Sequence, residues 1–173
     1  MNPSALDLLR RAAAVLSSNG HGPDGDEPGV PALLREPLRV GVDLGTANTV
    51  LLALDRRGQP VAGAMHPAQV VRDGLVVDFI GEVDLLRELK ARVEESLGMK
   101  LTAAATGFPP GVPVAERRAT ANVLEAAGLN CVGLVDEPSA ANRGRGGRDG
   151  AVVDIGGGTT GIAIIQNGEV VYT

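Results

Sequence analysis

The feature that most constrains this chain is an echo of itself. Asp43-Leu44-Gly45-Thr46 and Asp154-Ile155-Gly156-Gly157-Gly158-Thr159 each place an aspartate at the end of an aliphatic run, then glycine, then threonine. A second aliphatic run follows in both cases, Thr49 to Leu54 and Gly161 to Ile165. Both segments read as strand, glycine turn, strand. Arg56-Arg57-Gly58-Gln59 turns the first unit into a third strand near Val61 to Met65, and Asn167-Gly168 gives the second a tight hairpin into Val170-Val171-Tyr172. Two units of one design in one chain leave few folds open.

Between the units the period changes. Val83, Leu86, Leu89 or Lys90, Val93 and Leu97 recur at helical steps and Gly98 follows as a C-terminal cap. Leu101 to Thr106 reads as a buried strand, Pro113 to Ala127 as a helix opened by proline, and Cys131 to Val135 as another strand. A short helix is predicted from Ser139. Strands alternating with helices extend the sheet in parallel, so the order β-β-β-α-β-α-β predicts an α/β domain.

Composition narrows the function classes. Of 173 residues, 44% are apolar but only three are aromatic, so the core is built of Ala, Val, Leu and Ile. No apolar run reaches the roughly 18 residues of a membrane-spanning helix. The single thiol, Cys131, forms no internal disulfide and no Cys/His cluster has zinc spacing. No secretory leader is evident, which together with cysteine usage points to a reducing, cytoplasmic compartment. A net charge of −5 with so few aromatics disfavours nucleic acid as a partner.

Glycine turns let consecutive backbone N–H groups point into one concavity, which binds phosphate oxygens without side-chain bulk. An aspartate at the strand end can hold a hydrated Mg²⁺ that bridges those oxygens. Either turn alone reads better as an ordinary hairpin. Two in the same context favour a clamp on a polyphosphate. Gly156, Gly158 and Gly161 also satisfy G-x-G-x-x-G, but a strand follows where the dinucleotide fingerprint requires a helix. There is no G-x-x-x-x-G-K-[ST] sequence, which excludes a P-loop.

The N-terminal arm is a separate problem. Ser4 to Asp7 fits a helix N-terminal box, and Leu6, Leu9, Ala13 and Leu16 mark an apolar face on a helix ending near Ser17. From there to Pro31 glycine and proline break every period, as in a linker. The helix either docks to a partner or packs on its own domain.

The run Val40 to Asn48 resembles the first phosphate motif of the actin/Hsp70/sugar-kinase superfamily, and Ala151 to Ile165 resembles its second. Gly133 to Ala141, which includes Asp136-Glu137-Pro138, resembles the connecting motif between them. Val70 to Phe79 and Gly107-Phe108-Pro109-Pro110-Gly111 are similar to the ethanolamine-utilisation, chaperone-like branch.

The resemblance implies a ribonuclease-H-like first lobe with a mixed five-stranded sheet and helices, followed by the opening β-meander of a second lobe. It implies ATP and Mg²⁺ as ligands. Asp43 and Asp154 would orient the Mg²⁺ through water; Gly45, Thr46, Ala47 and Asn48 would cradle one side of the phosphates, and Gly156, Gly157, Gly158, Thr159 and Thr160 the other. Glu137 would position the attacking water, although a Glu-Pro pair also serves as a plain strand-to-helix junction. The implied partner is an ethanolamine-degrading enzyme or a shell component of a bacterial microcompartment; a non-catalytic adaptor is the alternative.

Three departures accompany the resemblance. No lysine precedes Lys90, whereas chaperone relatives bring one to the γ-phosphate. Asn142 to Arg148 is expected to break the last helix as a flexible basic loop. The sequence ends at Thr173, before an adenosine-binding glycine motif, so weak or no nucleotide affinity and self-association through unpaired strands are expected. The expected organisation is a helix at 1–17, a linker at 18–38, the first lobe at 39–149 and the start of a second at 150–173.

Overall fold

The computed structural model describes residues 5–17, 38–67, 71–72, 75–76, 78–158 and 160–173. The elements run α1 (Ala5–Ser17), β1 (Arg39–Leu44), β2 (Asn48–Leu54), β3 (Pro60–Pro67), β4 (Val71–Arg72), β5 (Leu75–Val76), α2 (Phe79–Leu97), β6 (Ala103–Phe108) and α3 (Val114–Ala126), followed by β7 (Asn130–Asp136), α4 (Glu137–Arg145), β8 (Gly150–Ile155), β9 (Thr160–Gln166) and β10 (Glu169–Tyr172). The predicted linker lies outside the described residues, apart from Leu38. So do Val70, Asp73, Gly74 and Val77, while the β4–β5 hairpin among them is an element that the sequence did not reveal.

The main sheet has five strands in the order β3-β2-β1-β6-β7. β1, β2 and β3 form an antiparallel meander, while β6 runs parallel to β1 and β7 parallel to β6. This is the mixed α/β sheet predicted, and the switch from antiparallel to parallel occurs where helices begin to alternate with strands. Strand β2 alternates buried and half-buried positions along its whole length, so Thr49, Leu51 and Ala53 share one face. That face and helices α2 and α3 enclose a core including Leu86, Leu89, Val93, Val123, Leu124 and Leu129, all fully buried.

Local signals explain the helix limits. Asp78 caps α2 by accepting from the Gly81 N–H at 2.9 Å, and Gly98 ends it with φ 64°. Of the two residues offered by the periodicity, Leu89 faces the core; Lys90 pairs with Glu94 at 3.1 Å. Pro113 precedes α3 as its cap and is not part of the helix.

Two expectations are corrected. The basic segment does not interrupt the last helix at Ala141: α4 continues through Arg145 and ends at Gly146, φ 69°, whose N–H reaches the Asn142 and Arg143 carbonyls. Packing against β8 and β9 carries the helix past the weak helix formers Asn142 and Gly144. Helix α1 packs on β3, but with Val15 fully buried and Leu6, Leu9 and Ala13 exposed, so of the face read from Leu6, Leu9, Ala13 and Leu16 only Leu16 turns toward β3. Glycine at position 63 decides this, because a Cβ there would stand 3.1 Å from Leu16 Cδ2.

A second, three-stranded antiparallel sheet has the order β10-β9-β8. Asn167 (φ 53°) and Gly168 (φ 85°) make its predicted tight hairpin. Helix α4 packs against both β8 and β9 and also meets β7, so it stands between the two sheets.

Candidate functional site

The two glycine turns face each other and touch. A Cβ added to Gly157 would lie 2.6 Å from Ala47 Cβ, and one added to Gly158 would lie 2.7 Å from Thr46 Cγ2. Glycine is therefore required at both positions by proximity. The first turn is closed by the Gly45 N–H donating to the Asn48 carbonyl at 3.1 Å, and a Cβ at Gly45 would collide with that same carbonyl at 2.7 Å. Among the described residues no backbone carbonyl accepts from the N–H groups of Thr46, Ala47, Gly157 or Gly158. These are donors of the kind that an anion cradle needs. Gly156 and Thr160 flank the second turn, and Thr159 lies outside the described residues.

Three carboxylates converge beside the turns. Asp43 stands on β1 next to the first turn, Asp154 on β8 next to the second, and Glu137 opens α4 between the sheets. Register helps to place them. Asp154 lies directly across from Gly161, whose missing side chain leaves room for Pro110 and Pro138, and Gly107 leaves room for the Glu137 methylenes, 3.3 Å from where its own Cβ would be. The Asp136 carboxylate accepts from the Ser139 N–H at 2.8 Å, fixing the start of α4 and with it the direction of Glu137.

The electrostatics are those of crowded like charges. Burial is the largest effect on Glu137, followed by the charges of Asp43 and Asp154, a hydrogen bond with Asp154 and the charge of Asp136; together they push its carboxyl up to about 7. Asp43 is open to water along the cleft but closely surrounded by protein atoms, and this desolvation, with Asp154 beside it, raises its carboxyl above the usual range. Among the described residues, the charges that shift these two groups are those of other carboxylates. Among the described residues no group of three or more Asp, Glu, His or Cys is close enough to ligate a metal directly. The donor set fits a hydrated Mg²⁺ held through water, since that ion takes few carboxylates and keeps its waters.

All the predicted site residues that are described fall at the facing ends of β1, β2, β7, β8 and β9. Lys90 is elsewhere, on α2 with Glu94. The sequence reading named Gly107, Pro110 and Gly161 only as members of motifs and missed that they let the sheets approach each other.

The comparisons with known proteins agree with this fold. The family model for MreB/Mbl protein matches residues 61–173. The chain belongs to the MreB/Mbl family of actin-like ATPases. It is 47% identical over 143 residues to the ethanolamine utilization protein EutJ of Escherichia coli K12, a match covering 83% of this chain and 50% of the relative. The crystal structure of the ethanolamine utilization protein EutJ from Carboxydothermus hydrogenoformans superposes with a TM-score of 0.83 at 47% identity, covering 96% of this chain and 58% of that one. Crystal structure of MreB 5 of Spiroplasma citri bound to AMPPNP superposes with a TM-score of 0.61 at 24% identity, over 79% of this chain and 51% of that one, a likeness of fold. The chain spans about half the length of the curated relatives it matches.

Proposed function

We propose that this chain supplies the phosphate-facing part of an ATP·Mg²⁺ site in an ethanolamine-utilisation protein of the actin-like type. The observation that carries this reading is the convergence of Asp43, Glu137 and Asp154, from three separate elements, on two facing glycine turns, with only like charges shifting Asp43 and Glu137 among the described residues. Leaving carboxylates so crowded disfavours the protein alone and favours a bound cation. The AMPPNP held by the MreB5 relative is in keeping with the reading.

In this proposal Asp43 and Asp154 orient the Mg²⁺ shell through water. Gly45, Thr46, Ala47 and Asn48 hold one side of the phosphates, and Gly156, Gly157, Gly158, Thr159 and Thr160 the other. When bound, Mg²⁺ would neutralise phosphate charge. Glu137, with its proton affinity raised by its neighbours, is suited to accept from and orient a water near the terminal phosphate. Because the turns touch, a polyphosphate enters only when they separate, which couples ligand binding to the relation between the two sheets.

The test is a calorimetric titration with Mg·ATP. Weak but saturable binding is expected, at least about tenfold weaker in Asp154→Ala and lost in EDTA. Undiminished binding in that variant would refute the clamp. The acting partner proposed is an ethanolamine-degrading enzyme or a microcompartment shell protein, with the chain located in the cytoplasm at such a compartment. Co-sedimentation with each, with and without Mg·ATP, tests this, and a nucleotide-independent result would favour a scaffold. Self-association through the outer face of the three-stranded sheet belongs to the same proposal.

A further inference from the structure

A buried acid lies directly beneath the first turn, on the side away from Asp43. Glu82 of α2 is fully buried, as is Thr49 of β2, whose hydroxyl donates to Glu82 Oε1 at 2.8 Å. Glu82 Oε2 has no partner among the described residues. Thr49 pairs with Leu44 across the β1–β2 register, so these two residues bracket the turn, whose closing bond runs from the Gly45 N–H to Asn48, the residue before Thr49. The Glu82 carboxyl is therefore attached to the base of the turn through one hydrogen bond.

Nothing in packing calls for an acid there. The surrounding core is aliphatic, and an isosteric apolar side chain would avoid the cost of burying a carboxyl with one neutral partner. Burial, the largest effect, and the neighbouring charges of Asp78 and Asp43 all disfavour its ionised form; only the Thr49 hydroxyl opposes them. The acid is kept at a cost in stability, and the structure it holds is the turn.

We propose that Glu82 is a positioning residue which, through Thr49, fixes the β2 end of the turn Leu44–Asn48 so that the Thr46 and Ala47 N–H groups are presented together. This deepens the phosphate reading above and rests on it for its purpose, while the contact itself can be tested without any nucleotide.

The experiment compares Glu82→Met, Glu82→Gln and Thr49→Val in the full chain, reading amide hydrogen exchange at Gly45, the thermal midpoint, and Mg·ATP affinity. Glu82→Met is expected to keep or raise the midpoint while Gly45 exchange accelerates about tenfold and Mg·ATP binds about fivefold more weakly. Glu82→Gln, which retains an acceptor, should restore exchange to within about twofold. Thr49→Val should repeat the acceleration and decides the matter if Glu82→Met does not fold. Unchanged Gly45 exchange in the folded variants, or exchange that accelerates only in step with global unfolding, overturns the proposal. If the parent chain binds no Mg·ATP while Gly45 exchange still responds, the phosphate reading fails and the positioning role stands.

Discussion

The two sheets begin with the same strand-turn-strand design and end in different environments. In the five-stranded sheet, Leu51 and Ala53 of β2 are fully buried beneath helix α2. In the three-stranded sheet only the inner face is covered: Ala163 and Ile165 are buried near α4, while Val153, Ile155, Ile162 and Tyr172 are each more than half exposed. The difference teaches that the glycine turns do not need a complete sheet behind them. What brings the second turn to the first is contact at Gly157, Gly158 and Gly161, and α4 between the sheets.

The largest expected effect tests the well-covered side. Leu86→Ala should remove about 3 kcal/mol of stability in urea unfolding, because the fully buried leucine leaves a cavity among α2 and the main sheet. A loss below about 1 kcal/mol would mean that this core is no better packed than the second sheet.

Next comes the contact between the regions. Gly157→Ala places a methyl 2.6 Å from Ala47 Cβ, so either the turns part or the backbone shifts, at a cost of about 1–3 kcal/mol. A negligible cost would show that the two sheets are not mechanically joined at the turns.

Acid and base probe the same junction. Glu137 holds its proton more tightly in the folded chain than its ordinary value of 4.5 allows, up to about 7. Between those values the folded state binds more protons than the unfolded, so stability is greatest at the acid end and falls as pH rises through about 7. Melting curves from pH 5 to 7.5 should show this fall. Glu137→Gln should flatten it, and millimolar Mg²⁺ should reduce it if the cation site is real. A profile unchanged by Glu137→Gln would place the crowding elsewhere.

The smallest effect on stability belongs to the open face. Ile162→Thr, at a half-exposed position of β9, should change unfolding free energy by no more than about 0.5 kcal/mol. Its effect should appear in sedimentation, as less self-association at high concentration, since exposed apolar strand faces pair with other chains. An unchanged sedimentation profile from a parent that does associate would move the contact to another surface.

Much of the site was legible because its signals are local. A glycine turn after an aspartate, a tight Asn-Gly hairpin and a Glu-Pro helix start each rest on a few adjacent residues, and the structure brings Asp43, Glu137 and Asp154 together as the motif order implied. The failures are those of competing faces and weak propensity. Helix α1 carries two overlapping apolar stripes, and only the space above Gly63 selects the one with Val15 and Leu16. Helix α4 looks broken after Ala141 by composition, yet its contacts with β8 and β9 and the left-handed cap at Gly146 sustain it to Arg145.

By itself, then, the sequence determined the order of the strands and helices other than the β4–β5 hairpin, the two glycine turns and the acidic residues beside them, because short-range sterics and hydrophobic period act within a few residues. Tertiary structure decided which face of α1 is buried, how far α4 runs, that Gly107, Pro110 and Gly161 join the sheets, and that Glu82 lies under the first turn. These depend on contacts between residues far apart in the chain, where shape, space and shared burial select among local alternatives of nearly equal free energy.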